Sequence, residues 1–424
     1  MTVTFIMGNG FDIGLGLHTG YECFYEEYCK FKSDDSENIR QFKTMLKERN
    51  NQKETKIIDW ADFERAFGQH SEEFSFDEKS KYIERFEDFV YNFNRYLEDE
   101  EKLVDYSNEN EIANTMDAAV TTYYHIRSGD KDAIQDIYNR VYSPQTYNFI
   151  SFNYTKTVDR CAQILKDSLH GDNSRTVGKV IHIHGYVEEN MIMGVNDPSQ
   201  ISNNEFANDT ILANELVKPQ QNESVHSNYE KQTLETINSS DIICIYGMSL
   251  GETDKKWWNI IANWLAKNND HALVIMKYTK SFNRRFTFSQ IGLTDKVINR
   301  FIDLAEPPSL IADSIRSQIF VGINHNVFQM NLRKKDPIIE HNKEKSSTEH
   351  RKEKLNAERR KNKPTTEFGM NKSESHKQIT NDKTYLWGPR ATEQAQNLLD
   401  IAPHYLSELE IPEDRLPAVL GNKK

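Results

Sequence analysis

Cysteine is scarce in this chain. Cys23, Cys29, Cys161 and Cys244 are the four present in 424 residues, and no two of them stand in a Cys-x-x-Cys pair. That spacing excludes a zinc knuckle and offers no disulfide framework, so reduced cytoplasm is the expected location. Long apolar runs are missing too. No window approaches the roughly 18 apolar residues that cross a bilayer, and the first residues lack a basic region leading into an apolar one, so neither a membrane span nor a signal peptide is expected. The third absence is an excess of positive charge. A formal net charge of -12 excludes a surface made as a whole to hold nucleic acid and leaves only local basic patches.

What is present begins with Val3-Thr4-Phe5-Ile6-Met7 running directly into Gly8-Asn9-Gly10-Phe11-Asp12, with Gly14 and Gly16 close behind. A buried strand that breaks into glycines is how a parallel sheet opens when its first loop must pass near a phosphate. The spacing Gly8, Gly10, Gly14 is one residue longer than the common dinucleotide fingerprint, so the usual oxidoreductase pattern is not met, and a tight structural turn stays open as a reading. Residues 21–31 carry aromatics at helical spacing, residues 32–54 read as a loop or frayed helix, and helical patterns follow over 59–67, 77–106, 111–126 and 130–141. An insertion of helices at about 55–145 is therefore expected to cover the glycine loop.

Strand patterns return at residues 147–153, 180–185 and 191–194, with a helix over 155–169 between the first two. A polar helix is read over 223–238. Residues 241–247 and 272–276 are continuous apolar runs of the kind that fill the middle of a parallel sheet, because both faces there are covered. Alternating strands and helices predict an α/β fold, a doubly wound and mostly parallel sheet of Rossmann type. Ligands in such sheets sit at the carboxyl ends of the strands, and every polar motif lies at one: Gly8 to Asp12, Asn153, His184, and Gly247-Met248-Ser249-Leu250-Gly251-Glu252-Thr253-Asp254. Residues 1–330 are expected to form this domain. Residues 331–384, dense in charge, read as a linker, and 385–424 as a C-terminal helical segment.

In order along the chain, the loop at residues 8–17, Ser151-Phe152-Asn153-Tyr154-Thr155, His184-Gly185 and Gly247-Met248-Ser249-Leu250 resemble the cofactor loop, Thr-Gln-Asn-Ile-Asp, His-Gly and Gly-Thr-Ser-Leu motifs of sirtuins. More closely, Gly-Asn-Gly-Phe-Asp, Phe-Asn-Tyr-Thr, His-Ile-His-Gly and Ser-Leu-Gly-Glu-Thr-Asp together resemble the bacterial abortive-infection AbiH family, linked to phage resistance. His18 stands where both groups usually carry proline, Thr155 replaces the sirtuin aspartate, and there is no four-cysteine zinc module. The resemblance thus implies a sirtuin-like hydrolase of NAD rather than a protein deacylase.

On that reading NAD is the substrate, with no metal, and Asn153 and His184 are the catalytic pair. Asn153 orients the ribose or a water, and His184 takes a proton. Gly8, Asn9 and Gly10 cradle the pyrophosphate, Asp12 polarises nicotinamide or water, and Gly247, Ser249 and Asp254 hold the adenosine half. Plainer roles stand beside these. Asn153 and Asp12 could cap helices and Ser249 could serve a turn, while Trp257 and Trp258 read as core. His182 and His184, two apart on one strand pattern, could share a metal. Expected partners are a nucleotide, a second copy of the chain and a defence protein reached through the tail. The competing functions are a non-catalytic nucleotide sensor or adaptor and a nuclease toxin.

Overall fold

The apolar runs do become strands: β1 (Thr2–Met7), β2 (Gln145–Ser151), β3 (Arg175–His182), β4 (Ile242–Tyr246), β5 (Ala272–Lys277) and β6 (Ile319–Ile323). The computed structural model describes residues 1–52, 60–140, 144–187, 189–224, 228–279 and 287–334. The six strands form one sheet in the order β3-β2-β1-β4-β5-β6, and every neighbouring pair is parallel. The doubly wound expectation holds. The chain builds outward from β1 to β3, crosses back, and builds outward again from β4 to β6.

Between β1 and β2 lie α1 (Gly10–Gly14), α2 (Tyr21–Tyr28), α3 (Glu37–Asn51), α4 (Trp60–His70), α5 (Lys79–Lys102), α6 (Glu109–Thr122) and α7 (Ser128–Arg140). Packing divides them. Phe24, Phe42, Phe63 and Phe89 of α2 to α5 meet in an aromatic core of their own, with Phe63 stacked on Phe89 at 3.8 Å between centroids. Helices α6 and α7, with α8 (Thr157–Ser168), instead cover the sheet face that carries Val3, Phe5, Met7, Phe149 and Cys244.

The segment after β3 adds α9 (Asn204–Ala207), α10 (Thr210–Leu216) and α11 (Lys218–Ser224), and Phe206, Leu212 and Leu216 join the aromatic core. The opposite sheet face, with Ile6, Ile243, Ile245 and Ile275, is covered by α12 (Tyr229–Asn238), α13 (Lys255–Leu265), α14 (Thr287–Ala305) and α15 (Ser309–Ile315). Trp257 and Trp258 are buried there as core.

Three local expectations change. Residues 32–54 contain a formed helix, α3: the Ser36 side chain accepts from the Ile39 amide, and Ile39, Phe42 and Leu46 give it a buried stripe that the surrounding charge obscures. Residues 191–194 are not a strand, although the Ile192 amide donates to His184 O at 2.8 Å. Strand β3 ends at His182, so Ile183 and His184 lie in the turn beyond it. Strand β6 and helix α14 add to the elements read from the sequence.

The chain divides into two units, Met1–Lys343 and Glu344–Lys424, and the second lies wholly outside the described residues. The charged linker and C-terminal helix expected from the sequence lie outside them from residue 335 onward. Before that point Arg333 pairs with Glu100 of α5 at 3.1 Å.

Candidate functional site

Strand order reverses between β1 and β4, so the loops that leave their carboxyl ends diverge and open a crevice. It measures about 740 Å³, inside the ~300–1,000 Å³ range of small-molecule sites. Gly8, Asn9, Gly10 and Asp12 line it from the β1 loop, Asn153 from the β2 loop and His184 from the turn after β3. Gly247, Ser249 and Asp254 line it from the β4 loop. All nine residues singled out in the sequence thus share one cleft, and Glu64, Phe93 and Leu97 of the inserted helices wall its far side.

The glycines have a first task different from the one expected. The Gly8 amide donates to Tyr246 O at 2.9 Å and the Gly10 amide to Gly247 O at 2.8 Å, so neither faces an open anion site. A Cβ on Gly10 would lie 2.5 Å from Gly247 Cα, and Gly247 itself sits at φ +71. These glycines let the β1 and β4 loops press backbone against backbone. Asn9 ties the loop down on its other side: its Nδ2 donates to Thr19 O at 3.0 Å and its Oδ1 accepts from the Thr19 hydroxyl at 2.6 Å.

Asp12 is 1% exposed. It accepts from the Thr155 hydroxyl at 2.7 Å and from that of Thr157, which ties the β1 loop to the start of α8. Burial lifts its carboxyl from 3.8 to about 6, against the pull of the Thr157 and Thr155 hydroxyls. It caps no helix. Asn153 caps none either, since α8 begins at Thr157 after Lys156. The Asn153 Nδ2 is buried with no hydrogen-bond partner; it lies near enough to Asp12 to favour the anion but does not reach bonding geometry. The backbone of Asn153 is held firmly, its carbonyl facing His182 Nδ1 at 3.1 Å and its amide donating to Ser151 Oγ at 3.2 Å.

His182 and His184 do not share a ligand. The other ring nitrogen of His182 faces Asp159 Oδ2 at 2.5 Å, whereas His184 Nε2 lies 3.5 Å from Asp254 Oδ1. Their separation follows from the end of β3 between them. Phe152 and Tyr154, the chain neighbours of Asn153, pack around the His184 ring at 5.2 and 6.3 Å between centroids. Burial, with help from the Lys218 charge, pushes the His184 imidazole well below its ordinary value, so it is neutral at pH 7. Lys218 is itself buried, its Nζ 2.8 Å from Glu64 Oε2 and 3.3 Å from Asp254 Oδ1. Burial works against its charge, but the Asp254 and Glu64 carboxylates outweigh it and hold the lysine above its ordinary value. Among the described residues no group of three or more His, Cys, Asp or Glu side chains is arranged to hold a metal ion.

Ser249 is exposed at the crevice mouth, in a loop where Leu250 takes φ 56. The crevice residues missed in the sequence include Glu64, Lys218 and Lys277, and Thr157, which donates to Asp12 from behind the crevice, was missed as well. Glu64 had a signal, since it precedes Phe67 by three residues, a helical spacing that sets a carboxylate beside the apolar stripe of α4. Lys218 had none.

A family model described as Bacteriophage abortive infection AbiH matches residues 4–276, a span that holds all nine of these residues. No curated protein matches the chain.

Proposed function

Because the chain belongs to the bacteriophage abortive infection AbiH family, we propose that its crevice binds NAD and hydrolyses the nicotinamide–ribose bond when infection triggers it, depleting the cell of the cofactor. Water adds to C1′ of the ribose as the C1′–N1 bond breaks, the bonding pair leaves with the ring as neutral nicotinamide, and the water gives up a proton. The transition state resembles an oxocarbenium ion, so the protein must orient the ribose, place the water and accept that proton.

The observation that carries this reading is the unpartnered, buried Nδ2 of Asn153 on the same cleft as a neutral His184. A buried donor without a partner costs free energy unless a ligand satisfies it, and a ribose hydroxyl or the attacking water would do so. His184 would take the proton, with Asp254 Oδ1 3.5 Å from Nε2 to offset the resulting charge. The trigger would come from self-association or from a defence partner engaged through the tail.

Purified full-length protein incubated with NAD and phage lysate tests the proposal. Release of nicotinamide and ADP-ribose by the wild type, lost in Asn153→Ala and His184→Ala variants that keep their circular dichroism, is the expected result; undiminished release in both variants excludes the mechanism. One observation favours a second reading, a sensor that binds without turnover: burial and Lys218 make an imidazolium at position 184 costly. Saturable NAD binding with no nicotinamide released in the triggered sample would select that reading.

A further inference from the structure

The amides of Gly8 and Gly10 are spent on the β4 loop, and α1 is a single turn of five residues, so the glycine loop offers little to a phosphate. Charge is also unevenly spread over the crevice. Asp12, Glu64 and Asp254 line the part nearest β1 and the inserted helices, and Lys218 is already shared between two of them. A polyanion there would meet three carboxylates. The other lysine on the crevice is Lys277, half-buried at the end of β5, and it makes no ion pair among the described residues. Asn326, exposed in the segment after β6, also lines the cleft, two residues beyond Asn324, whose amide donates to Lys277 O at 2.8 Å, and brings a further donor to that end. Two strand spacings, about 10 Å, separate the backbones of β5 and β1.

We propose that Lys277 is the phosphate anchor of the crevice, with Asn326 close by in the segment that follows β6, so that a dinucleotide lies across the strand ends with its phosphates over β5. The inference rests on the nucleotide-binding half of the proposed function and not on hydrolysis. It also fits the ligand's own polarity: the ring of NAD carries a positive charge, which suits the carboxylate part, and the pyrophosphate carries the negative charge, which suits Lys277.

Binding of ADP-ribose, ADP and adenosine to full-length wild type, Lys277→Gln and Lys277→Arg, followed by calorimetry at two salt concentrations, tests it. The expected loss in Lys277→Gln is about ten- to a hundredfold for ADP-ribose and ADP, the worth of one hydrogen bond to a charged group, with adenosine unchanged and Lys277→Arg close to wild type. Equal affinities in wild type and Lys277→Gln would overturn this inference and leave nucleotide binding standing. No binding of ADP-ribose or ADP by the wild type would overturn both. Lys277-dependent binding without nicotinamide release would support the anchor and count against hydrolysis alone.

Discussion

Asp12 is a carboxylate kept where water does not reach, and its protonation has a measurable consequence. Burial raises its pKa from 3.8 to about 6, so the folded protein holds the proton more tightly than the unfolded chain does. The stability linked to that proton is fully present below about pH 4 and is lost as pH rises through 6, an amount of about 3 kcal/mol at pH 7.5 from ~1.36 kcal/mol per unit. Asp12→Asn removes the penalty, keeps an oxygen for one of the Thr155 and Thr157 hydroxyls and offers the other, turned to accept, an amide N–H. The variant should melt above wild type at pH 7.5, with the gap closing toward pH 4; parallel melting curves across that range would refute the assignment. At Asn153 the expectation is different. Its Nδ2 bonds to nothing in the protein, so Asn153→Ala should shift unfolding in urea by no more than about 1 kcal/mol while removing the proposed activity.

Loops and helices, one scale up, are held by close approach and by a buried charge network. Gly10→Ala would place a methyl 2.5 Å from the Gly247 backbone, where nothing can swing aside, and should cost more than about 2 kcal/mol. Gly129 is the control. It lies in α7 with nothing within 4 Å of a built Cβ, so Gly129→Ala should gain up to about 1 kcal/mol. Denaturant titration of the two variants checks both signs. Lys218→Met would leave Glu64 and Asp254 uncompensated at a cost of about 3–5 kcal/mol, and Glu64→Gln added to it should recover much of that loss. Additive losses in the double variant would show that the network couples nothing. This is also the scale at which the sequence was only partly legible. Strands β4 and β5 could be read because parallel strands covered on both faces are near-continuous apolar runs, and β1 and β2 because apolar residues run up to the polar motifs that close them and mark the cleft. Helix α3 hid its stripe among charges, and the end of β3 fell inside a run that reads as strand through Gly185. Lys218 reached the cleft through tertiary packing alone, which no local pattern encodes.

For the molecule as a whole, the strand order β3-β2-β1-β4-β5-β6 creates one place where loops part, and the chain's polar motifs converge there from four strand ends. The AbiH family match spans that convergence and ties the chain to phage abortive infection; among the described residues no helix is long and apolar enough to cross a membrane. On the proposed function the protein must stay silent until infection, so the most direct test is made in infected cells. Cellular NAD followed through phage infection in bacteria protected by the wild-type protein should collapse before lysis, and should hold steady in cells carrying Asn153→Ala, which would also lose protection. Undiminished NAD in cells that the wild-type protein still protects would contradict the account.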